Sequence, residues 1–275
     1  MYGEQLNPLF EIYFKTIENT KLSEIIKYSL KDGKCIRGFI VKHILDQHGI
    51  KAWEPVVAVE LIHGSSLILD DLPSMDNDSE RRGKPSTFKT FGINESILTT
   101  FFMTAQSMKI LSHAVEDRKL ANFHNFVNEW SELLGKQIIY GQLLDLSEEA
   151  ETYLNVDTPD MCDTIINYKT CSLFSFAFVV AAYFSNLNEF DDFKKMGELF
   201  GLMFQLADDA NDIKKDPTRI NYVLSHGNIK AVSKFTNSKI KLEKLLIKNN
   251  LLSQEFKQLI EYVNVSFKNN LNFKN

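Results

Sequence analysis

The residue types best suited to chemistry fall in two acidic runs. Leu61–Gly83 reads LIHGSSLILDDLPSMDNDSERRG. An apolar helical stretch ends there in Asp70 and Asp71, and Pro73 stops it, because a proline disfavours the α conformation of the residue before it. Asp76 and Asp78 follow in a short loop, then Arg81 and Arg82. A helix C-terminus carries partial negative charge, so two aspartates at that end repel the dipole and each other. Something positive should sit on them. A divalent metal ion is the economical answer, and the two arginines suggest an anion beside that metal. Phe204–Asp212 (FQLADDAND) repeats the arrangement: Asp208 and Asp212, four residues apart, share a helix face, with Asp209 beside them.

Mg²⁺ is typically held by one or two carboxylates per ion plus phosphate oxygens and water. Two acidic clusters facing each other could share two or three ions across one diphosphate. Lys169 and Thr170 enter an apolar run, which costs desolvation unless an anion or a carboxylate meets them. With Arg81 they would add charge-assisted hydrogen bonds to the same diphosphate. Such a site can expel diphosphate as a leaving group. Lys34 and Arg37, three apart at a helix start, read either as a solvated pair or as an anion site formed with backbone N–H groups. His63 lies two turns before Asp70 on roughly the same face, as a core histidine or a ligand contact. Lys34, Arg37, His63 and Arg82 would form a second, metal-free anion site. Two anion sites beside an apolar helical cavity describe an enzyme joining two apolar diphosphates.

The elements that must position these residues are helices. The spacing predicts helices over 5–30, 36–48, 55–71, 93–114, 118–147 and 191–213, one starting at Pro159, and two more from about Ile229 onward. Lys31–Gly38 is a break with a turn at Asp32-Gly33. Phe101, Phe102 and Met103 form an aromatic-rich stripe, and Asp145 reads as a buried polar contact. Long helices joined by short breaks, with no linker or repeat, imply a single all-α domain over 1–275.

Composition narrows the function classes. A net charge of −5 argues against a nucleic-acid partner, which needs a basic surface. Cys35, Cys162 and Cys171 are an odd number without CxxC spacing, which fits a reducing cytoplasmic location. The N-terminal stretch lacks a signal pattern. The most apolar window, Leu173–Phe184, is too short for a bilayer span of roughly 20 residues, so it reads as a buried helix and no transmembrane segment is expected.

These stretches resemble the trans-isoprenyl diphosphate synthases, the farnesyl and geranylgeranyl diphosphate synthases. DDLPSMD at 70–76 is similar to their first aspartate-rich motif, in the form with two extra residues between the acids. DDAND at 208–212 is similar to the second, with Phe204-Gln205 before it. Arg81-Arg82-Gly83-Lys84-Pro85 resembles the RRGKP that follows the first motif, and Lys34 and Arg37 match GGKRxRP. His63, Lys169-Thr170 and Gly141-Gln142 also fall in the family's order. The resemblance implies an isoprenoid-synthase-type helical bundle around a deep central cavity, usually a homodimer. It implies that Asp70, Asp71, Asp76, Asp208 and Asp212 bind two or three Mg²⁺ around an allylic diphosphate. Arg81, Lys169, Thr170 and Gln205 would hold that diphosphate, and Lys34, Arg37, His63 and Arg82 would hold isopentenyl diphosphate. Asp70, Asp71, Asp76, Lys169 and Asp208 would carry the catalysis.

The chain departs from the pattern in places. In GGKRxRP the first glycine, the first arginine and the proline are Asp32, Cys35 and Gly38 here. The loop after Asp212 is shorter than the family's, with Lys215 or Arg219 as substitutes for its lysine. The family's Gly-Asp after an Ile-Leu is Thr100-Phe101. In the family the residue five before the first aspartate helps set the cavity floor. Here it is Ser65, whose small size favours geranylgeranyl diphosphate over farnesyl diphosphate unless Phe101, Phe102 or Met103 refills the space. A class I terpene cyclase shares the fold and the first motif, but DDAND does not fit its usual second motif and it needs no second diphosphate site. A non-catalytic partner subunit is the other alternative.

Overall fold

The computed structural model describes residues 2–18, 20–146, 160–187, 189–213 and 221–271. The expected Pro159 helix start and the candidate lysine substitutes Lys215 and Arg219 lie outside them. The all-α expectation holds: apart from one two-residue antiparallel hairpin, every regular element described is helical. Contacts group the chain into two compact units, 1–123 with 180–187, and 124–179 with 188–275.

The first unit begins with α1 (Tyr2–Thr16), α2 (Lys21–Leu30), α3 (Ile36–Gln47) and α4 (Glu54–Asp70). The single helix expected over 5–30 is two. Thr20 caps α2 in a reciprocal box with Ser23, which satisfies the first N–H groups and fixes a break. Pro55 opens α4, where its missing N–H costs nothing. The strands β1 (Glu80–Arg81) and β2 (Lys84–Pro85) then turn through Arg82 and Gly83, both at positive φ. α5 (Thr87–Phe91) and α6 (Ile93–Asp117) follow, α6 packs along α4, and residues 180–187 also belong to this unit.

The second unit starts with one continuous helical stretch: α7 (Phe123–Trp130), a π-helical segment (Ser131–Ile138) and α8 (Ile139–Leu146). α9 (Met161–Ile165), capped by the Asp160 side chain on Cys162 N–H, runs through a second π-helical segment (Ile166–Cys171) into α10 (Ser172–Phe184), whose residues from 180 onward group with the first unit. Joined end to end, Met161–Phe184 is long and apolar enough to cross a membrane by length and composition. Its burial decides the reading, because 78% of its apolar window lies inside the protein. α11 (Phe190–Asp212) carries the second acidic run, and α12 (Tyr222–Lys248) and α13 (Gln254–Asn270) pack on it. α12 starts earlier than its expected onset at Ile229, with a kink at Gly227.

Candidate active site

In the first unit α4 presents His63 and Asp70 on one face, seven residues apart, or about 10.5 Å along the axis. Arg37 Nη1 lies 3.3 Å from His63 Nε2. A guanidinium only donates, so Nε2 accepts and the ring proton sits on Nδ1. Burial pushes the His63 pKa well below its usual value, and the charges of Arg37, Arg82 and Arg81 push the same way. The imidazole is therefore neutral inside a concentration of guanidinium charge. Lys34 is exposed at the same helix start.

The α3 N-terminus shows why this chain departs from its expected pattern. Gly38 N–H donates to Glu60 Oε1 at 2.7 Å, and Glu60 is buried. A proline at this position would offer no N–H, and a Cβ on Gly38 would stand 2.8 Å from Glu60 Cγ. Burial raises the Glu60 pKa, opposed by the Gly38 hydrogen bond and by Arg37 and Arg82. Cys35, at φ 52°, gives no side-chain cap, so the capping acceptor at this helix start is Glu60, supplied from α4. The acceptor on this N–H is thus one of the chain's own carboxyl groups.

At the other end of α4, Asp76 N–H donates to Asp70 C=O at 2.9 Å, which folds the acidic loop back onto the helix. Asp71 is only 2% exposed and faces Arg81, whose Nε donates to its Oδ1 at 2.8 Å and whose Nη2 reaches the same oxygen. Arg81 Nη2 also donates to Asp78 Oδ2 at 3.1 Å. Burial raises the Asp71 pKa, and Arg81 opposes it. The positive charge expected at this helix end is supplied in part by Arg81. Asp70 and Asp76 are half-buried. Arg82 Nη1 donates to Ser29 C=O at 2.9 Å and Lys31 C=O at 3.2 Å, while Lys84 Nζ donates to Tyr28 C=O at 2.8 Å. Both cations cap the C-terminal carbonyls of α2, where the helix dipole favours them.

The stripe on α6 divides. Phe101 is 71% exposed and Phe102 half-buried, whereas Met103 is buried and its Cε packs over Gly64. Phe101 therefore does not refill space beside Ser65. Ser65 is buried, and its hydroxyl donates back to Ile62 C=O at 2.8 Å.

In the second unit Lys169 and Thr170 lie in the π-helical segment 166–171, a conformation that often marks functional positions. Gly141 faces the Lys169 backbone closely enough that a Cβ would stand 2.4 Å from Lys169 N. The desolvation cost expected for the Lys-Thr pair is met internally. Lys169 Nζ pairs with Asp145 Oδ2 at 2.5 Å, and Thr170 Oγ1 donates to Gln205 Oε1 at 2.6 Å. Asp208 and Asp212 are half-buried on their shared face of α11, while Asp209 is buried. Asp209 accepts from Gln205 Nε2 and from Tyr222 N–H, each at 2.8 Å, and its carbonyl accepts from Asn221 Nδ2 at 2.8 Å. Burial raises the Asp209 pKa to about 6 against these hydrogen bonds. Among the described residues no three acidic, histidine or cysteine side chains are gathered as a ready metal cage. The donors at both helix ends are carboxylate oxygens throughout, which is the chemistry Mg²⁺ selects.

The sequence marked Asp145 as a buried polar contact and Lys169 as needing an anion or a carboxylate without pairing the two, and it missed the partnerships of Glu60 and Asp209, of which Asp209 follows Gln205 by four residues and so shares its face.

The polyprenyl synthetase family model matches residues 19–263, across both units. Over 246 residues the chain is 31% identical to geranylgeranyl pyrophosphate synthase 4 of Arabidopsis thaliana, covering 86% of this chain and 64% of that protein's length. It is 33% identical over 202 residues to the farnesyl diphosphate synthase of Micrococcus luteus, covering 71% of this chain and 67% of the relative. The solved geranyltranstransferase of Thermotoga maritima superposes with a TM-score of 0.78 at 26% identity, over 94% of this chain and 97% of that one. The chain belongs to the polyprenyl synthetase family, the trans-isoprenyl diphosphate synthases.

Proposed function

We propose that the protein is a metal-dependent trans-prenyltransferase that condenses isopentenyl diphosphate head-to-tail with dimethylallyl, geranyl or farnesyl diphosphate. Geranylgeranyl diphosphate is its principal product. The observation that carries this reading is the α4 face. Arg37 donates to a neutral His63, and seven residues on the helix ends in carboxylates. A phosphate-seeking site and an oxygen-donor site thus share one helix. Asp70 and Asp76 in the first unit, and Asp208 and Asp212 in the second, would hold Mg²⁺, with Asp71 available only on leaving Arg81, and the charge of such ions would support diphosphate as a leaving group.

Lys34, Arg37, His63 and Arg82 bind isopentenyl diphosphate in this reading. Arg37 keeps the imidazole oriented and neutral, so His63 meets a phosphate as an Nδ1–H donor. Arg81 and Lys169 would each offer a cation to the allylic diphosphate, Lys169 exchanging Asp145 for it. The allylic C–O bond breaks, the isopentenyl double bond attacks the carbon, and a proton leaves to the departing diphosphate. Two features support the longer product: Ser65 is small, and Phe101 points away from it. The exposed Leu98 and Phe101 on one face of α6 support a homodimer.

The test is incubation with Mg²⁺, isopentenyl diphosphate and each allylic starter, with products identified by chain length. Geranylgeranyl diphosphate accumulating from farnesyl diphosphate is the expected result. Arrest at farnesyl diphosphate keeps the reaction and overturns the product. Failure to consume isopentenyl diphosphate with any starter overturns the synthase reading in favour of a cyclase or a partner subunit.

A further inference from the structure

We propose that Asp209 is a positioning residue: it fixes which way the Gln205 amide points, and through Gln205 it fixes the polarity of the Thr170 hydroxyl. The proposal deepens the prenyltransferase reading and rests on it for its kinetic arm. The adjacent Asp208 and Asp212 occupy the half-open face of α11, whereas Asp209 faces inward and is 5% exposed. Its carboxylate takes Gln205 Nε2 and the Tyr222 N–H, each at 2.8 Å.

A carboxylate accepts and cannot donate. Asp209 therefore selects the amide rotamer with the NH₂ group turned toward itself. The carbonyl end of Gln205 is then turned to Thr170, whose hydroxyl donates to it at 2.6 Å. The order of donors and acceptors is set from the buried end outward. Thr170 spends its only proton on Gln205 and presents lone pairs elsewhere. This revises the expectation that Thr170 donates to a diphosphate. Asp209 is also anchored from the far side, since its carbonyl accepts from Asn221 Nδ2 and Asn221 in turn caps α12 through Leu224 N–H at 3.0 Å. The acceptor that orients Gln205 is thus held by the start of a different helix.

The polarity can be inverted and restored with near-isosteric changes. In Asp209→Asn the new amide keeps its oxygen on Tyr222 N–H and turns its NH₂ to Gln205, which must flip and donate to Thr170. No charge is buried in that variant, so the melting temperature should hold or rise. The turnover number should fall at least about tenfold, the size expected for loss of an orienting partner outside the reacting groups. KM for both diphosphates and the Mg²⁺ requirement should stay within about twofold of the parent protein. In Gln205→Glu two carboxylates face each other across the former 2.8 Å contact, and the melting temperature should drop by several degrees. In the double variant Asp209→Asn/Gln205→Glu the new carboxylate accepts from both the new amide and Thr170. Both the melting temperature and most of the lost turnover should return.

The melting-temperature arm needs no turnover, so it tests the inference even if the prenyltransferase reading fails. If Asp209→Asn does not rescue the melting temperature of Gln205→Glu, the proposed polarity chain is wrong. An Asp209→Asn variant with parental turnover overturns it. So does one whose turnover is recovered by raised Mg²⁺, which would make Asp209 a metal ligand, or a double variant as slow as the single one.

Discussion

Gly141→Ala tests whether the Lys169 site depends on a backbone approach. Helix propensity alone favours the alanine by about 1 kcal/mol. The structure opposes it: a Cβ would stand 2.4 Å from Lys169 N, 2.8 Å from Tyr168 C and 2.9 Å from Lys169 Cα. Ordinary contact begins at 3.4 Å, and all three neighbours are backbone atoms that no rotamer change can move. The π-helical segment 166–171 must therefore retreat by about 1 Å, carrying Lys169 and Thr170 with it. Overpacking of this kind costs about 1–3 kcal/mol, so the net loss of stability is about 0–2 kcal/mol. That is a fall of at most several degrees in melting temperature for a chain of this size. Misplacement of a positioned group by about 1 Å costs on the order of 100-fold in rate. Turnover should fall far more than stability does. Gly135→Ala is the control in the same continuous helical stretch, because its Cβ would meet only Ser131 Oγ, at 3.7 Å. It should be neutral or slightly stabilising, with parental kinetics. Paired measurements of kcat, KM and thermal melting decide the matter. A Gly141→Ala protein with parental kcat would refute the argument that this glycine sets the position of Lys169.

Three further outcomes follow from the first unit. His63 titrates well below its unfolded pKa of about 6.5, so the unfolded chain takes up the proton first; stability from this group is complete above about pH 6.5 and is lost as pH falls below it. His63→Gln should flatten the melting-temperature curve between about pH 5 and 6.5, and an unchanged curve would place the acid sensitivity elsewhere. Ser65→Tyr puts an aromatic at a buried position of α4 and should shift the product from geranylgeranyl to farnesyl diphosphate, whereas an unchanged product profile would remove Ser65 from chain-length control. For the proposed dimer, Phe101→Glu should lower the mass measured by light scattering to that of a monomer without unfolding the protein, since Phe101 is 71% exposed on α6; a mass unchanged from the parent would overturn a subunit contact at this face.

The two acidic runs were legible because their chemistry is local. Four-residue spacing places Asp208 and Asp212 together on any α-helix, and Pro73 marks the end of the first run wherever the helix lies. Helix ends were legible to within a few residues where a proline or a turn marked them. The break at Thr20 was hidden because a Thr–Ser capping box lacks the glutamate that usually signals one. Orientation within a stripe was not legible either: Phe101 and Met103 are two residues apart, and packing against α4 buried the methionine and left the aromatic outside. The partners of Gly38 N–H and Lys169 Nζ lie 22 and 24 residues away, at distances no local pattern encodes.

Consecutive residues on an α-helix point about 100° apart, so an adjacent Asp-Asp pair cannot present both carboxylates to one ligand with equal ease. The structure resolves this conflict in the same way in both units. In each pair the second aspartate turns inward: Asp71 onto Arg81, and Asp209 onto Gln205 and the start of α12. The first of each pair, Asp70 and Asp208, stays half-buried with the acid that follows later, Asp76 or Asp212. The partner of the inward carboxylate differs because its surroundings differ. Asp71 ends its helix just before a loop that can return an arginine, and a charged partner offsets its burial. Asp209 lies within the last turn of α11, where neutral N–H donors from its own helix and the next one satisfy it at no cost in buried cationic charge. A doubled aspartate at a helix end is therefore not two equivalent ligands. One member fixes the architecture, and the other shares its exposure with the carboxylate farther along the chain.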